Sequence, residues 1–260
     1  MIDALKNKTI ILAGGAGYLG ESLSNLILSN GANLCIADID TKKTENVFKR
    51  LSSKFPTANL ITSHLNMSDE ISISQVVDKC YDYFGNLNGL VNATFGSTAK
   101  KLEDLTAQDF NDANSINLTG SFLLARSAAK KMTEGGSIVM FGSMYGVVSP
   151  NPFLYPDGIN SNPIEYGAGK AGLLQMMRYL ASHYGPQNIR VNAIAPGPFP
   201  NLNKIDNKNS DFLNNLREAT MLRRLGEANE TAGPTVFLLS EFSSYITGHV
   251  LNVDGGWTSW

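Results

Sequence analysis

The sequence predicts an α/β protein, a doubly wound parallel sheet of about seven strands with helices on both faces. Three observations carry that prediction. Short apolar runs of strand length alternate with longer segments of helical periodicity along the 260 residues. The first such run empties into a glycine-rich turn that opens a helix. The composition, 43% hydrophobic and 17% charged, suits one large core rather than two small ones, so residues 1–260 are expected to form a single domain.

Lys8 to Ala13 is the first strand, and it leads into Gly14-Gly15-Ala16-Gly17-Tyr18-Leu19-Gly20 and a helix ending at Asn30-Gly31. In a Rossmann-like unit Gly14 permits the tight turn. Gly17 lets backbone N–H groups approach a pyrophosphate, and Gly20 packs the helix on the strand. Tyr18 and Leu19 open that helix and are counted with the cofactor loop. Asn33 to Ala37 delivers Asp38 at the position where a carboxylate bonds the adenosine ribose and repels a 2′-phosphate. With no Arg or Lys directly beside it, NAD is favoured over NADP; the plainer alternative is that Asp38 caps the following helix.

Lys42 to Phe55 reads as a helix, Asn59 to Leu65 as a strand, Ser68 to Phe84 as a helix and Gly89 to Asn92 as a short buried strand. Asn66 could face the adenine edge, and Asn92-Ala93 ends the fourth strand where cofactor and chain would meet. Thr106 to Met132 is one long helical pattern with Asn117 in its middle. Such an Asn marks a bend or a bound water, or simply faces solvent. Ser137 to Phe141 is the fifth strand, presenting Gly142-Ser143 at the sheet end where ligands bind, although a lone serine there is also an ordinary turn residue.

After Ser143, residues 144–162 form a Pro-, Gly- and Asn-rich stretch, and then comes Tyr166-Gly-Ala-Gly-Lys170. On a helix the phenol and the ammonium lie on one face. Asn162 as cap, Pro163 and Glu165 predict that helix start, and Gly185-Pro186 its end. A nearby cation favours the phenolate, which would make Tyr166 a usable base. Gly167 and Gly169 imply close approach by a cofactor or another helix. Ile189 to Ala195 is the sixth strand, ending at Pro196-Gly197, while 198–224 is polar and reads as a lid. Thr231 to Leu239 is helical and Val250 to Val253 is the last strand.

Taken together, the glycine loop, Asp38, Asn117, Ser143, Tyr166 with Lys170, Ile189-Arg190-Val191-Asn192 before Pro196-Gly197, and the terminal Asn252-Val253-Asp254-Gly255-Gly256 resemble the short-chain dehydrogenase/reductase (SDR) family, in its single-domain branch. The resemblance implies that Tyr166 exchanges a proton with the substrate oxygen and Ser143 hydrogen-bonds that oxygen. It also implies that Lys170 lowers the tyrosine pKa and holds the nicotinamide ribose, and that Asn117 anchors a water. Tyr155, at the family's usual distance from Ser143, has Ile159 where a lysine is required. It becomes a substrate-binding candidate, with residues 144–162 an insertion over the site. The glycine pattern, Asn66 in place of Asp, Asn92-Ala93-Thr94-Phe95 and the missing threonine after Pro196-Gly197 depart from the family pattern.

Tyr145-Gly-Val-Val and Pro163-Ile-Glu-Tyr166 are similar to flagellin-modification oxidoreductases of nonulosonate sugar pathways. The expected activity is NAD(H)-dependent interconversion of a secondary alcohol and a ketone, on a sugar derivative. Phe153, Asp157, Asn160 and Asn162 of the insertion, with Asn203, Lys204, Asn207, Lys208, Arg217, Arg223 and Arg224 opposite, would face that ligand, which could be phosphorylated or nucleotide-linked. The alternatives are a 3-oxoacyl thioester reductase and a catalytically inactive nucleotide-sensing regulator.

A formal charge of -2 and a pI near 5.9 give no electrostatic reason to expect nucleic acid or an anionic membrane. The N-terminus carries no secretory pattern, and Cys35 and Cys80 read as buried thiols, so the expected location is the cytoplasm. His64, His183 and His249 lack companions at ligand spacing, so no metal is expected. The apolar stripe Leu173, Leu174, Met177, Leu180 exceeds what one sheet face needs, and a homodimer or homotetramer is expected.

Overall fold

The computed structural model describes residues 3–202 and 210–260. Seven parallel strands run in the order β3-β2-β1-β4-β5-β6-β7. They are β1 (Thr9–Ala13), β2 (Asn33–Asp38), β3 (Leu60–His64), β4 (Gly89–Asn92), β5 (Gly136–Phe141), β6 (Ile189–Pro196) and β7 (Val250–Val253). Strand order reverses between β1 and β4, whose pairing aligns Ala13 with Asn92 and opens a crevice beyond their carboxyl ends.

Side chains alternate across the pleat and divide the core in two. Ile11, Leu90, Ile138 and Met140 pack on one face against α3 (Glu70–Phe84), α5 (Ser121–Lys131) and α6 (Ile164–Tyr184). Ile10, Leu12, Val91 and Val139 pack on the other against α1 (Tyr18–Ser29), α2 (Thr41–Lys54) and α8 (Ala232–Leu239). Both free thiols, Cys35 and Cys80, are buried on the first of these faces. Among the described residues no helix is long and apolar enough to cross a membrane.

Two local expectations are corrected, and one alternative is set aside. The long helix expected over 106–132 is broken into α4 (Ala107–Asn114), a π-helical turn over Ser115–Gly120, and α5. Asn117 sits in that turn with 1% exposure, so it does not face solvent. The helix carrying Tyr166 has no capping box: Pro163 occupies the cap without a side-chain acceptor, and Glu165 is drawn away to another segment. Asp38 caps nothing. Asp40 caps α2 by accepting from the Lys43 N–H, which leaves Asp38 at the crevice.

Part of the expected lid is helical, as α7 (Ser210–Glu218). Asn203, Lys204, Asn207 and Lys208 lie outside the described residues. A third, smaller apolar cluster joins α7 to the insertion: Leu216 and Phe212 pack with Met144, Tyr145, Leu154, Tyr166 and Trp257. The Asn215 amide also donates to the Leu154 carbonyl.

Candidate active site

The glycine turn between β1 and α1 is built by backbone crowding. A Cβ on Gly20 would stand 2.3 Å from the Gly14 carbonyl oxygen, and one on Gly14, whose φ is +81°, would meet the Ala93 carbonyl at 2.8 Å. Nothing larger than hydrogen fits at either place. The turn is tied to β2 through Asp38, whose Oδ2 accepts from the Ala16 N–H at 3.0 Å while Oδ1 accepts from Asp40 N–H at 3.2 Å. Lys43 and Arg50, on the helix that follows, are ion-paired to Asp40 and Glu21.

Across the crevice, a cavity of about 300 Å3 is lined by Leu19, Ala93 to Phe95, Ser143, Tyr166, Lys170, Pro196 and Gly197, among others. Asn92 is buried beside this lining. The Asn92 amide donates to Ser121 Oγ on α5, and its Oδ1 accepts from Thr94 N–H and Oγ1. Asn66 is occupied nearer home, its Oδ1 accepting from Ser68 N–H.

Lys170, one helical turn beyond Tyr166, has only 2% exposure and donates to the Phe141 carbonyl at 2.7 Å and the Thr94 carbonyl at 3.2 Å. Burial without an anionic partner pulls its pKa down to about 7. The Tyr166 phenol is pushed up by burial, while the Ser143 hydroxyl beside it pulls the other way. Desolvation is the largest influence on both groups. Close packing of α6 on α4 serves this arrangement, since a Cβ on Gly169 would lie 2.4 Å from Asn114 Oδ1.

A second cavity, of about 750 Å3, shares Ser143 and Tyr166 with the first and opens outward. Tyr145, Tyr155, Phe199 and Phe212 give it aromatic walls; Ser97, Asn160 and Asn162 give it short polar groups. The Tyr145 and Tyr155 hydroxyls share a hydrogen bond of 2.6 Å, and Tyr155 lies 5.2 Å from Phe212, ring to ring. No Asp, Glu, Lys or Arg appears among its described lining residues.

Residues 16–258 match the sequence model of a family described as enoyl-(acyl carrier protein) reductase. The chain is 29% identical to the 7alpha-hydroxysteroid dehydrogenase of Bacteroides fragilis, over 99% of its own length and 96% of that protein. It is also 29% identical to post-translational flagellin modification protein A of Campylobacter coli, over 97% of this chain and 99% of that one. Among solved structures, that of gox2181 superposes with a TM-score of 0.90 at 27% identity, covering 99% of both chains. The chain belongs to the short-chain dehydrogenase/reductase family.

As an SDR, the protein is an oxidoreductase acting on CH–OH groups, and its family binds nicotinamide cofactors. The residues present fit such a group. The side-chain-free loop at Gly14 to Gly20 leaves backbone open at a helix start, and the buried Lys170 has donors but no anion within the protein. Ser143, Tyr166, Lys170, Pro196, Gly197 and Ala93 are brought together at one cavity; Asp38 and Asn66 sit further along the crevice at the ends of β2 and β3.

Other expected positions fall elsewhere. Phe153 is 90% exposed, and Asp157 lines only an outer groove. Arg217 bonds Asn214, Arg223 pairs with Glu218, and Arg224 with Glu230, so the described basic residues of 198–224 serve local structure instead of the cavity. Sequence reasoning missed Phe199, Phe212 and Leu216 as cavity walls, because they come from a segment without clear periodicity. Sequence reasoning also missed what the Asn117 side chain holds. Its amide clamps one backbone unit, accepting from Gly96 N–H at 3.0 Å and donating to Gly96 O at 2.8 Å. Among the described residues no three His, Cys, Asp or Glu side chains cluster as metal ligands.

Proposed function

We propose that this SDR interconverts a secondary alcohol and a ketone on an uncharged, ring-shaped, hydroxylated substrate such as a sugar derivative, using NAD(H). The observation that carries the proposal is the junction at Ser143 and Tyr166 between a nicotinamide-sized cavity and a larger one with aromatic walls, short polar groups and no charge among its described lining. The nicotinamide exchanges a hydride with the substrate carbon when bound. Tyr166 Oη moves the proton at the substrate oxygen, Ser143 Oγ hydrogen-bonds that oxygen, and Lys170 Nζ holds the ribose and supplies positive charge. Asp38 accepts the adenosine ribose hydroxyls, and its carboxylate excludes a 2′-phosphate.

Aromatic faces with peripheral hydroxyls and amides suit a ring that is apolar on its faces and polar at its rim. A 3-oxoacyl thioester would call for a continuous apolar slot, and the complete Ser143, Tyr166, Lys170 set argues against a regulator without chemistry. A steroid is the second reading, favoured by Met144, Ile159 and Leu216 in the same wall and by the likeness to the Bacteroides hydroxysteroid dehydrogenase. The likeness to the flagellin-modification protein supports the sugar reading.

The test is a panel of neutral sugar ketones, hydroxysteroids and 3-oxoacyl thioesters with NADH and NADPH. Turnover of sugar ketones with NADH is the expected result; preference for thioesters, or tighter binding of NADPH than NADH, overturns it. Replacing Asp38 by Ala should weaken NADH binding and narrow the gap to NADPH, measured by fluorescence titration.

A further inference from the structure

The segment after β4 runs without regular structure past both cavities, and it is held by every second residue. The Thr94 carbonyl accepts from Lys170 Nζ, Gly96 is clamped on both sides by Asn117, and Thr98 donates its N–H and its Oγ1 to Glu165 Oε1, each at 2.9 Å. Gly96 is buried and Thr94 and Thr98 half-buried, while Phe95, Ser97 and Ala99 are exposed. This is the two-residue alternation of an extended chain, with the tethered residues turned toward the helices. The alternate residues face the site: Phe95 and Ser97 line the smaller cavity, and Ser97 and Ala99 the larger, where the Ala99 carbonyl accepts from Asn160 Nδ2 at 3.4 Å. Phe95 also meets the Tyr166 ring edge-on, at 6.2 Å.

Glu165 is the outermost of the three tethers and has 0% exposure. A carboxylate is costly to bury and is retained only where hydrogen bonds hold it. Its Oε2 has no protein partner, so its described side-chain bonds all go to Thr98. Because Glu165 precedes Tyr166 directly on α6, it couples the proton-transferring helix to the wall opposite.

We propose that Glu165 is a positioning residue that acts through Thr98, fixing the 94–99 strip so that Ser97 stands at the boundary between the cofactor and substrate cavities. Ser97 then contributes a hydroxyl to the substrate, next to that of Ser143, and helps determine which ketones are accepted. The catalytic part of this rests on the oxidoreductase reading above; the mechanical part does not.

The experiment is site-resolved hydrogen exchange on the wild type and on Glu165→Ala, Glu165→Gln and Thr98→Val, followed by NADH titration and steady-state kinetics with the panel ketones. In Glu165→Ala the Thr98 amide, and Lys100, whose N–H bonds Thr98 Oγ1, should exchange at least about tenfold faster. Gly96, still clamped by Asn117, should change little. Glu165→Gln keeps an acceptor oxygen and should restore protection. In turnover, Glu165→Ala and Thr98→Val should raise KM for the ketone about tenfold while NADH affinity stays within about twofold.

Unchanged protection at Thr98 in Glu165→Ala overturns the tether. Loss of protection spread through the start of α6 in both Glu165 variants assigns Glu165 to helix stability and equally overturns the proposal. If the wild type turns over no panel ketone, the functional proposal fails while the exchange result still decides the tether.

Discussion

Replacing Lys170 by Met should change stability in a pH-dependent way, with the variant faring worst relative to the wild type in base. Burial pulls the lysine from its ordinary value of 10.5 to about 7, with no anion to offset it. Between these values the unfolded chain binds more protons than the folded one, so wild-type stability rises with pH across the window. Below about pH 7 the whole penalty is present, roughly 4–5 kcal/mol as an upper bound. Methionine removes that cost and keeps much of the volume, but it leaves the Phe141 and Thr94 carbonyls without their donor, a loss of about 1–3 kcal/mol for each such group left unsatisfied. The two lost bonds together cost about 2–6 kcal/mol, comparable to the penalty removed, so near pH 6 the two proteins should be of similar stability, and the variant should lose up to roughly 4–5 kcal/mol relative to the wild type as the pH rises past 10. Near pH 10 the lost hydrogen bonds dominate, and the variant should be the less stable. Urea unfolding of both proteins at pH 6, 8 and 10 measures this. A stability difference that stays flat over the range would refute the argument, because only a titrating buried ammonium produces the slope.

Tyr166→Phe should lower kcat by about 10²- to 10⁴-fold while NADH titration stays near wild type, since the hydroxyl alone is lost; near-normal turnover would shift the proton-transfer role to another group. Shortening Asn151 to Ser161 should reduce kcat/KM for the preferred ring substrate by about tenfold or more. A small alcohol such as 2-propanol should be much less affected, because Tyr155 and Asn160 line the larger cavity and not the smaller one. Light scattering at micromolar concentration tests the expected dimer or tetramer, and a monomer would contradict it; Leu173, Leu174, Met177 and Leu180 are all buried in the core of one chain, so that stripe is not the partner surface.

The sheet was legible because the strands are short, mostly apolar runs closed by turn-forming residues, and β4 falls on the residues its pattern marks. Tyr166 and Lys170 were legible because a helix fixes their separation, and Asp38 because a strand end does. What could not be read depends on contacts between distant segments. Glu165 satisfies a local capping pattern, yet the backbone of Thr98, 67 residues away, competes for its carboxylate and wins. The burial of Tyr166 and Lys170 was not legible for a related reason: residue spacing reports neighbours, whereas the fold decides how much water is removed from both groups. Phe212 and Leu216 reach the cavity only because α7 folds back over the insertion, as the Asn215 bond to Leu154 records.

The π turn at Ser115–Gly120 has a consequence for phase. An α-helix advances about 100° per residue, so the wider turn acts as one surplus residue spliced into an otherwise continuous rod. Upstream of the splice, α4 meets α6 beside Gly169; downstream, α5 turns Leu124, Ala125, Ala128 and Ala129 into the core. Deleting a single residue from the turn would let an unbroken helix form, and every α5 side chain would then rotate by about 100° relative to α4. The splice thus works as an indexing device, letting one rod keep Asn117 on the active-site strip while its far half stays in register with the sheet.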